Sequence, residues 1–462
     1  MSSLYKQDAV SLIESFRKGQ HSPGEVLTET LDRIEQFQPQ INAYCFYNES
    51  VREDALASEK RWAKNEPIGP LDGVPIIVKD NMAVRGMPAS WGNAELATRM
   101  ITEDELPVAR LREAGALIVG KGNTPEFAVE GYTANARFGV TSNPFDTRLT
   151  PGGSSGAVAA AVASGQATLG VGTDGGGSIR RPAAYCGLIG LKPGLGHAPR
   201  ANGLPQVLLD FEVIGPMTRT VRDARLMDSV LKGPSRLDPM SRRTVFTEPQ
   251  QPLRVLYVPR FGDEPCDPIM LPNVRQFVDT LADRGCQVSE GVMPLNLDEM
   301  TAHWRTVAEV GMSRLFAADE ALARSATDKY QAMAERGKAT TVDQFVQVLD
   351  TVRQLRIEAS QLFAQWDLIV TPATSAMPWA AADGFPAEID GQAVGPRGHA
   401  VYSGWVNAIG HPSIALPCQP SANGMPIGVQ LVSDMGSESF LLDVAEQSEL
   451  ESGGFQWPEE FA

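Results

Sequence analysis

The sequence holds few of the side chains that carry metal, disulfide and imidazole chemistry, with five His and five Cys in 462 residues. Cys45, Cys186, Cys266, Cys286 and Cys418 are scattered, odd in number and free of any C-x-x-C pair. That pattern reads as reduced thiols in a cytoplasmic protein, not as a disulfide framework. His21, His197, His303, His399 and His411 show no H-E-x-x-H spacing, so no metal site is expected. A basic tract is also missing: 40 Lys+Arg stand against 56 Asp+Glu, a formal charge of −16, which argues against a nucleic-acid partner. The N-terminus has neither the basic start nor the apolar core of a signal peptide. Long runs of large apolar residues are absent too. Leu149 to Thr173 is 25 residues without a charge, but it contains six Gly, Pro151, Gln166 and several Ser. It reads as a Gly/Ser/Ala segment buried in protein, so no membrane association is expected.

What remains is an ordinary globular composition, 43% hydrophobic and 21% charged. Ala9, Val10, Leu12, Ile13 and Phe16 share one helical face. After a break at Gly19-Gln20-His21, Ser22 and Pro23 form an N-cap and first-turn pair for a second helix. Gly73-Val-Pro-Ile-Ile-Val-Lys79-Asp80 reads as a buried strand with Lys79 at its C-terminal mouth. Leu106 to Gly115 reads as a short helix with a Gly stop, and Ala116 to Val119 as a further strand. This βαβ grammar returns at Arg254–Val258, at the helical stretch 274–284 and at Trp366–Thr371, and it points to an α/β fold. We expect one large domain over residues 1–462 with a mixed β-sheet core covered by helices on both faces. Within it we place N-terminal helices at 1–65, a core at about 70–220, a helical variable insertion at about 295–400 and a C-terminal return at about 400–450.

The densest chemistry lies in Thr150-Pro-Gly-Gly-Ser154-Ser155-Gly156-Ala157 and in Gly172-Thr173-Asp174-Gly175-Gly176-Gly177-Ser178-Ile-Arg180-Arg181. Three readings compete, beside that of a Gly-rich packing turn. Gly170-x-Gly172-x-x-Gly175 matches a dinucleotide fingerprint, but the first acid after Asp174 is Asp210, too distant to hold a ribose. Gly152 to Gly156 satisfies the G-x-S-x-G elbow of an α/β-hydrolase esterase, which needs an acid and a His downstream. The third reading has two Ser-bearing turns joined by a helix at 157–163 and a strand at 167–171. In it the run of backbone N–H groups after Asp174 faces one point, as an acyl-transfer oxyanion requires.

The three motifs in this order resemble the amidase signature family, the Ser-Ser-Lys hydrolases. Lys79 lies in Gly-Val-Pro-Ile-Ile-Val-Lys-Asp-Asn, Ser154 in Pro-Gly-Gly-Ser-Ser-Gly, and Ser178 in Gly-Thr-Asp-Gly-Gly-Gly-Ser-Ile-Arg-Arg-Pro-Ala. Thr141-Ser-Asn143-Pro144, Gly187 to Pro193, Asn407-Ala-Ile-Gly410-His-Pro412 and Gly424 to Gln430 support it, so the resemblance spans about 70–432. Ala157 departs from the pattern where a third Gly is usual, and so does the Arg pair after Ser178; neither removes a reactive atom. The resemblance implies Ser178 as nucleophile, Ser154 as a bridging Ser in a cis peptide, and Lys79 as base. The N–H groups of Gly175, Gly176, Gly177 and Ser178 would form the oxyanion hole. Thr173 would support this network, and Asp174 would pair with Arg180 to hold the turn. No cofactor is implied.

A Ser hydroxyl must lose its proton as it attacks, and Lys accepts that proton only when neutral, which burial or a nearby cation favours. Asp80 would oppose this if it faced inward, and strand alternation turns it away. The expected activity is hydrolysis of a carboxylic amide through an acyl-enzyme on Ser178, on a small-molecule substrate, in a monomer or homodimer. Phe127, Ala128, Trp379, Tyr402 and Trp405 are candidates for an acyl pocket, which would favour aryl or medium acyl amides. Alternatives are a glutaminase component of the glutamyl-tRNA amidotransferase A type working in a complex, the esterase, and a non-catalytic binding protein.

Overall fold

The apolar runs that read as strands come together in one sheet. The structure is a computed structural model and describes residues 3–242, 248–249 and 251–462. Eleven strands form the sheet: β1 (Tyr44–Tyr47), β2 (Pro75–Lys79), β3 (Leu117–Gly122), β4 (Leu169–Asp174), β5 (Ile189–Lys192), β6 (Val213–Thr218), β7 (Arg254–Tyr257), β8 (Gln287–Glu290), β9 (Leu368–Pro372), β10 (Ser413–Pro417) and β11 (Gly428–Val432). Their spatial order is β1-β3-β2-β4-β6-β5-β10-β11-β9-β7-β8. β2 runs parallel to β3 and β4, and β7 runs parallel to β8 and β9. The central pairs from β4 to β9 are antiparallel, so the sheet is mixed.

Every residue of β2, β4, β6, β9 and β11 is buried. Strand side chains alternate between faces, so burial at every position means that helices and loops cover both faces. The chain is a single α/β domain of this kind. The two N-terminal helices form as their patterns predict, at Ala9–Arg17 and Pro23–Ile41. The second opens on a reciprocal capping box between Ser22 and Glu25 with Pro23 in its first turn. The helices Asp298–Ala318, Glu320–Ser325, Asp328–Lys338 and Val342–Leu362 follow one another along the chain, and β9 then returns to the sheet. No helix among the described residues is long and apolar enough to cross a membrane.

The Gly/Ser/Ala segment is buried against the sheet. Its helix, Gly156–Ala163, has all eight residues buried. A Cβ on Gly170 would meet Val158 Cγ1 at 2.4 Å, and one on Gly172 would meet Ser155 Oγ at 2.7 Å. These glycines therefore serve close helix–strand packing, which accounts physically for the string that matches a dinucleotide fingerprint.

Candidate active site

The parallel pair β2/β4 brings Lys79 and Thr173 to the same end of the sheet, with Val78 opposite Val171. Ligand sites in sheets of this type gather at the carboxyl ends of parallel strands. Lys79 is fully buried, and its Nζ donates to Ser154 Oγ at 2.8 Å, to Thr173 Oγ1 at 2.8 Å and to the Thr173 carbonyl at 3.3 Å. Burial is the main influence on this amine, pushing its pKa down to about 7. Glu212 and Asp174 oppose that shift, and Arg200 and Arg181 add to it. Arg200 also binds Glu212 directly at 2.6 Å, so much of the opposing charge is neutralised. Asp80 turns to the other side, where it pairs with Lys121 at 3.4 Å and accepts from the Ser90 hydroxyl.

The Ser154 turn is held from several directions. Gly152 takes φ +81°, and the Gly153–Ser154 peptide is cis. Thr124 Oγ1 donates to the Ser154 carbonyl at 3.1 Å, and Arg181 Nη2 donates to the Gly153 carbonyl at 3.2 Å. A Cβ on Gly153 would lie 2.1 Å from the Tyr132 carbonyl oxygen, so no side chain fits there. Ser155 N–H donates to the Ser178 carbonyl at 3.2 Å, which ties the two Ser-bearing turns together. Lys79, Ser154 and Thr173 are 0% exposed and Ser178 is 6% exposed, so Ser178 is the one of the four that meets the outside.

Asp174 organises the turn that precedes Ser178. Its Oδ1 accepts from Gly177 N–H at 2.6 Å and Arg180 Nη2 at 2.9 Å, and its Oδ2 accepts from Arg180 Nε at 3.0 Å and Ile179 N–H at 3.1 Å. Asn407 Nδ2 donates to the same carboxylate at 2.9 Å, and Arg180 reaches Gln430 Oε1 at 2.7 Å and Asn407 Oδ1 at 2.6 Å. Burial alone would raise the Asp174 pKa, but the Arg180 charge and these hydrogen bonds hold it well below the usual carboxylate range. One expectation changes here. The Gly177 N–H is engaged by Asp174, which removes it from the expected oxyanion donors. The N–H groups of Gly175, Gly176 and Ser178 have no partner in the chain among the described residues.

The expected aromatic pocket does not form as a unit. Phe127 is 0% exposed and packs edge-on against Trp91, Phe316 and Tyr330. Ala128 is buried beside it in the same cluster. Tyr402 is buried, packs edge-on against Phe261 and donates its hydroxyl to the Pro259 carbonyl at 2.8 Å. These three belong to the core, because apolar neighbours fill the space around them. Trp379 packs against Tyr185 and His399, and Trp405 lines a groove of about 830 Å³. Trp304 is the aromatic residue at the Ser178 turn that sequence reasoning missed. A Cβ on Gly176 would meet its Cζ2 at 2.8 Å. Also missed were Asn81, which donates to Thr173 Oγ1 at 3.0 Å, and the roles of Arg181, Asn407 and Gln430. Asn81, Asn407 and Gln430 lie inside the motif stretches named above. Nothing marks Trp304 in the sequence, since it sits mid-helix in the insertion.

A family model described as "Amidase" matches residues 25–442. The A-type component of the glutamyl-tRNA(Gln) amidotransferase of Alkaliphilus metalliredigens is 31% identical over 489 residues, covering 96% of this chain and 97% of that protein. The acylamidase of Rhodococcus erythropolis is 30% identical over 468 residues, covering 96% and 95%. Among solved structures, a bacterial aryl acylamidase superposes with TM-score 0.89 at 27% identity, covering 96% of each chain. The 6-aminohexanoate cyclic dimer hydrolase in complex with substrate gives TM-score 0.89 at 27% identity over the whole of both chains.

Proposed function

This chain belongs to the amidase signature family of amide-hydrolysing enzymes, and from that premise we propose that it cleaves a carboxylic amide through an acyl-enzyme on Ser178. Ser178 Oγ attacks the amide carbon, and its proton passes to Ser154 while Ser154 gives its own to neutral Lys79. The carbonyl electron pair moves to an oxyanion held by the N–H groups of Gly175, Gly176 and Ser178. The C–N bond then breaks, and the proton returns through Ser154 to the departing amine or ammonia. Water attacks the resulting ester by the same route and releases the carboxylate.

The observation that carries this reading is the buried Lys79 amine, with a pKa of about 7 and its Nζ 2.8 Å from Ser154 Oγ. A neutral amine keeps two N–H groups and one lone pair. In the neutral amine the two Thr173 oxygens keep the N–H groups, and the contact with Ser154 reverses, so that its hydroxyl donates to the lone pair. A packing role alone does not call for a buried amine so arranged.

An amide and ester panel, run beside a Ser178→Ala control, tests the proposal. Turnover by the lone chain that vanishes in Ser178→Ala supports it. Glutaminase activity that appears only with a partner complex would replace it with the amidotransferase reading. Turnover that survives Lys79→Met but fails when a His is replaced would favour the esterase.

A further inference from the structure

Beside the Ser178 turn lies a group of cations without acidic partners. Trp304 abuts Gly176 at its ring edge, and its face carries the Arg397 guanidinium at 4.4 Å and stacks with Phe211 at 5.5 Å. Arg397 is therefore about one indole away from the oxyanion turn. It lines the groove of about 830 Å³ with Trp304, Gly404 and Trp405, and the residue stays open to solvent. Its guanidinium has no ion pair and no hydrogen bond among the described residues. The chain has 56 acids. Arg61, Arg254 and Arg356 each hold one of them, and Arg99 holds two.

Two buried groups share this field. Arg181 is 4% exposed and binds the Gly176 carbonyl, Ser403 Oγ and the Gly153 carbonyl, but its Nε has no partner. His399 is 2% exposed, and neither ring nitrogen has a partner. Burial, and then the Arg181 and Arg397 charges, keep this imidazole neutral. Asp263, Glu264 and Asp298 line the same groove, and none of them pairs with Arg397 among the described residues; the two acids whose charge acts on Arg397 and Arg181 are already held. Glu130, whose field favours the charge on Arg397, pairs with Lys329 at 2.5 Å and accepts from the Tyr330 hydroxyl at 3.3 Å. Asp174 is bound by Arg180 at 2.9 Å.

We infer that Arg397 anchors a carboxylate on the substrate, so that the amides cleaved at Ser178 carry an anionic group a short spacer from the scissile bond. The inference rests on the amidase reading and names the substrate class of that site. A guanidinium held over an indole by its carbon still has N–H groups to offer a carboxylate, and its weak hydration makes displacing water easy. The carboxylate can lie on the acyl side, as in a dicarboxylic acid monoamide, or on the amine side, as in an N-acyl amino acid.

Matched pairs test this: adipic acid monoamide against hexanamide, and N-hexanoylglycine against N-hexanoylethylamine. Wild-type kcat/KM should favour the carboxylate member of one pair by roughly tenfold to a hundredfold. Which pair shows it identifies the side. Arg397→Met should bring that ratio towards one, and Arg397→Lys should keep part of it. A wild-type ratio near one for both pairs overturns the inference and leaves the amidase reading intact. So does an equal fall for both members in Arg397→Met, because a structural defect lowers both without changing their ratio. If no member of the panel is turned over, labelling of Ser178 by a fluorophosphonate decides. Slowing by adipate in wild type but not in Arg397→Met supports the inference, and no slowing in wild type overturns it. No labelling at all overturns the amidase reading itself.

Discussion

Lys79 Nζ and Thr173 Oγ1 lie 2.8 Å apart, and Asn81 donates to the same hydroxyl oxygen at 3.0 Å. Thr173 thus accepts two N–H groups, and its carbonyl accepts a third contact from Lys79 at 3.3 Å. The amine is aimed by this residue. Thr173→Val keeps the shape and removes both hydroxyl contacts. We expect kcat/KM to fall by roughly tenfold to a hundredfold, with the acid limb of the pH profile displaced and the fold retained. A variant with unchanged rate and pH profile would show that Thr173 does not position the base.

The pH profile follows from the Lys79 pKa of about 7. Below that value the amine is protonated and cannot accept the Ser154 proton, so kcat/KM should drop about tenfold per pH unit. Above it the rate should level off. The same shift affects stability with a definite sign. Between the ordinary lysine value of 10.5 and about 7 the unfolded chain binds a proton that the folded chain does not, so stability falls as pH falls through that window. Below about 7 the loss is complete and stays constant. Buried Lys192, also pushed down to about 7 by burial, contributes with the same sign. Chemical denaturation of wild type and Lys79→Met across this window should show a shallower slope in the variant. A rate optimum near pH 5 would refute the neutral base.

Asp174 and Arg180 are each 0% exposed. Asp174→Asn leaves the guanidinium buried without its counter-charge and weakens the acceptor for Gly177 N–H. Breaking such a pair costs about 3–5 kcal/mol. Urea unfolding of the variant should show a loss of that size, together with a fall in kcat as the Ser178 turn loosens. A loss below about 1 kcal/mol would mean that Asn407 and Gln430 satisfy Arg180 without the carboxylate.

These relationships differ in how well the sequence announces them. The Lys79 strand, the two Ser turns and the N-terminal capping box are local patterns, and each is visible in a window of about ten residues. β6 is not visible in that way. Val213-Ile-Gly-Pro-Met-Thr218 carries Pro216 in a strand with neighbours on both sides, where it sits opposite Val171. Pro in a central strand argues against strand formation, and here the pairing of β4 and β5 on either side overrides it. The engagement of Gly177 is hidden for a related reason. Its backbone N–H meets a carboxylate three residues earlier, and nothing in the spacing says which way Asp174 turns. Phe127 and Tyr402 have the composition of a pocket and the surroundings of a core, and those surroundings come largely from segments distant in the chain. Arg397 and Trp304 meet only in three dimensions.

Gly176 is the position where site and core press hardest on each other. Its φ is not in the left-handed region, so alanine is acceptable to the backbone. The added Cβ, however, would lie 2.8 Å from Trp304 Cζ2. The indole cannot retreat freely, since Phe211 stacks on it at 5.5 Å and it belongs to the helix Asp298–Ala318. The turn should therefore move, and the Gly176 N–H with it. We expect Gly176→Ala to lower kcat by roughly a hundredfold to a thousandfold, as for loss of an oxyanion donor, with a stability cost of about 1–3 kcal/mol from overpacking. Trp304→Phe in the same chain should restore part of kcat by making room, so the two substitutions should be non-additive in kcat. Additive effects would mean that the indole does not set the position of the turn. The cycle also separates the clash from any intrinsic need for glycine at 176, because only the clash responds to the size of residue 304.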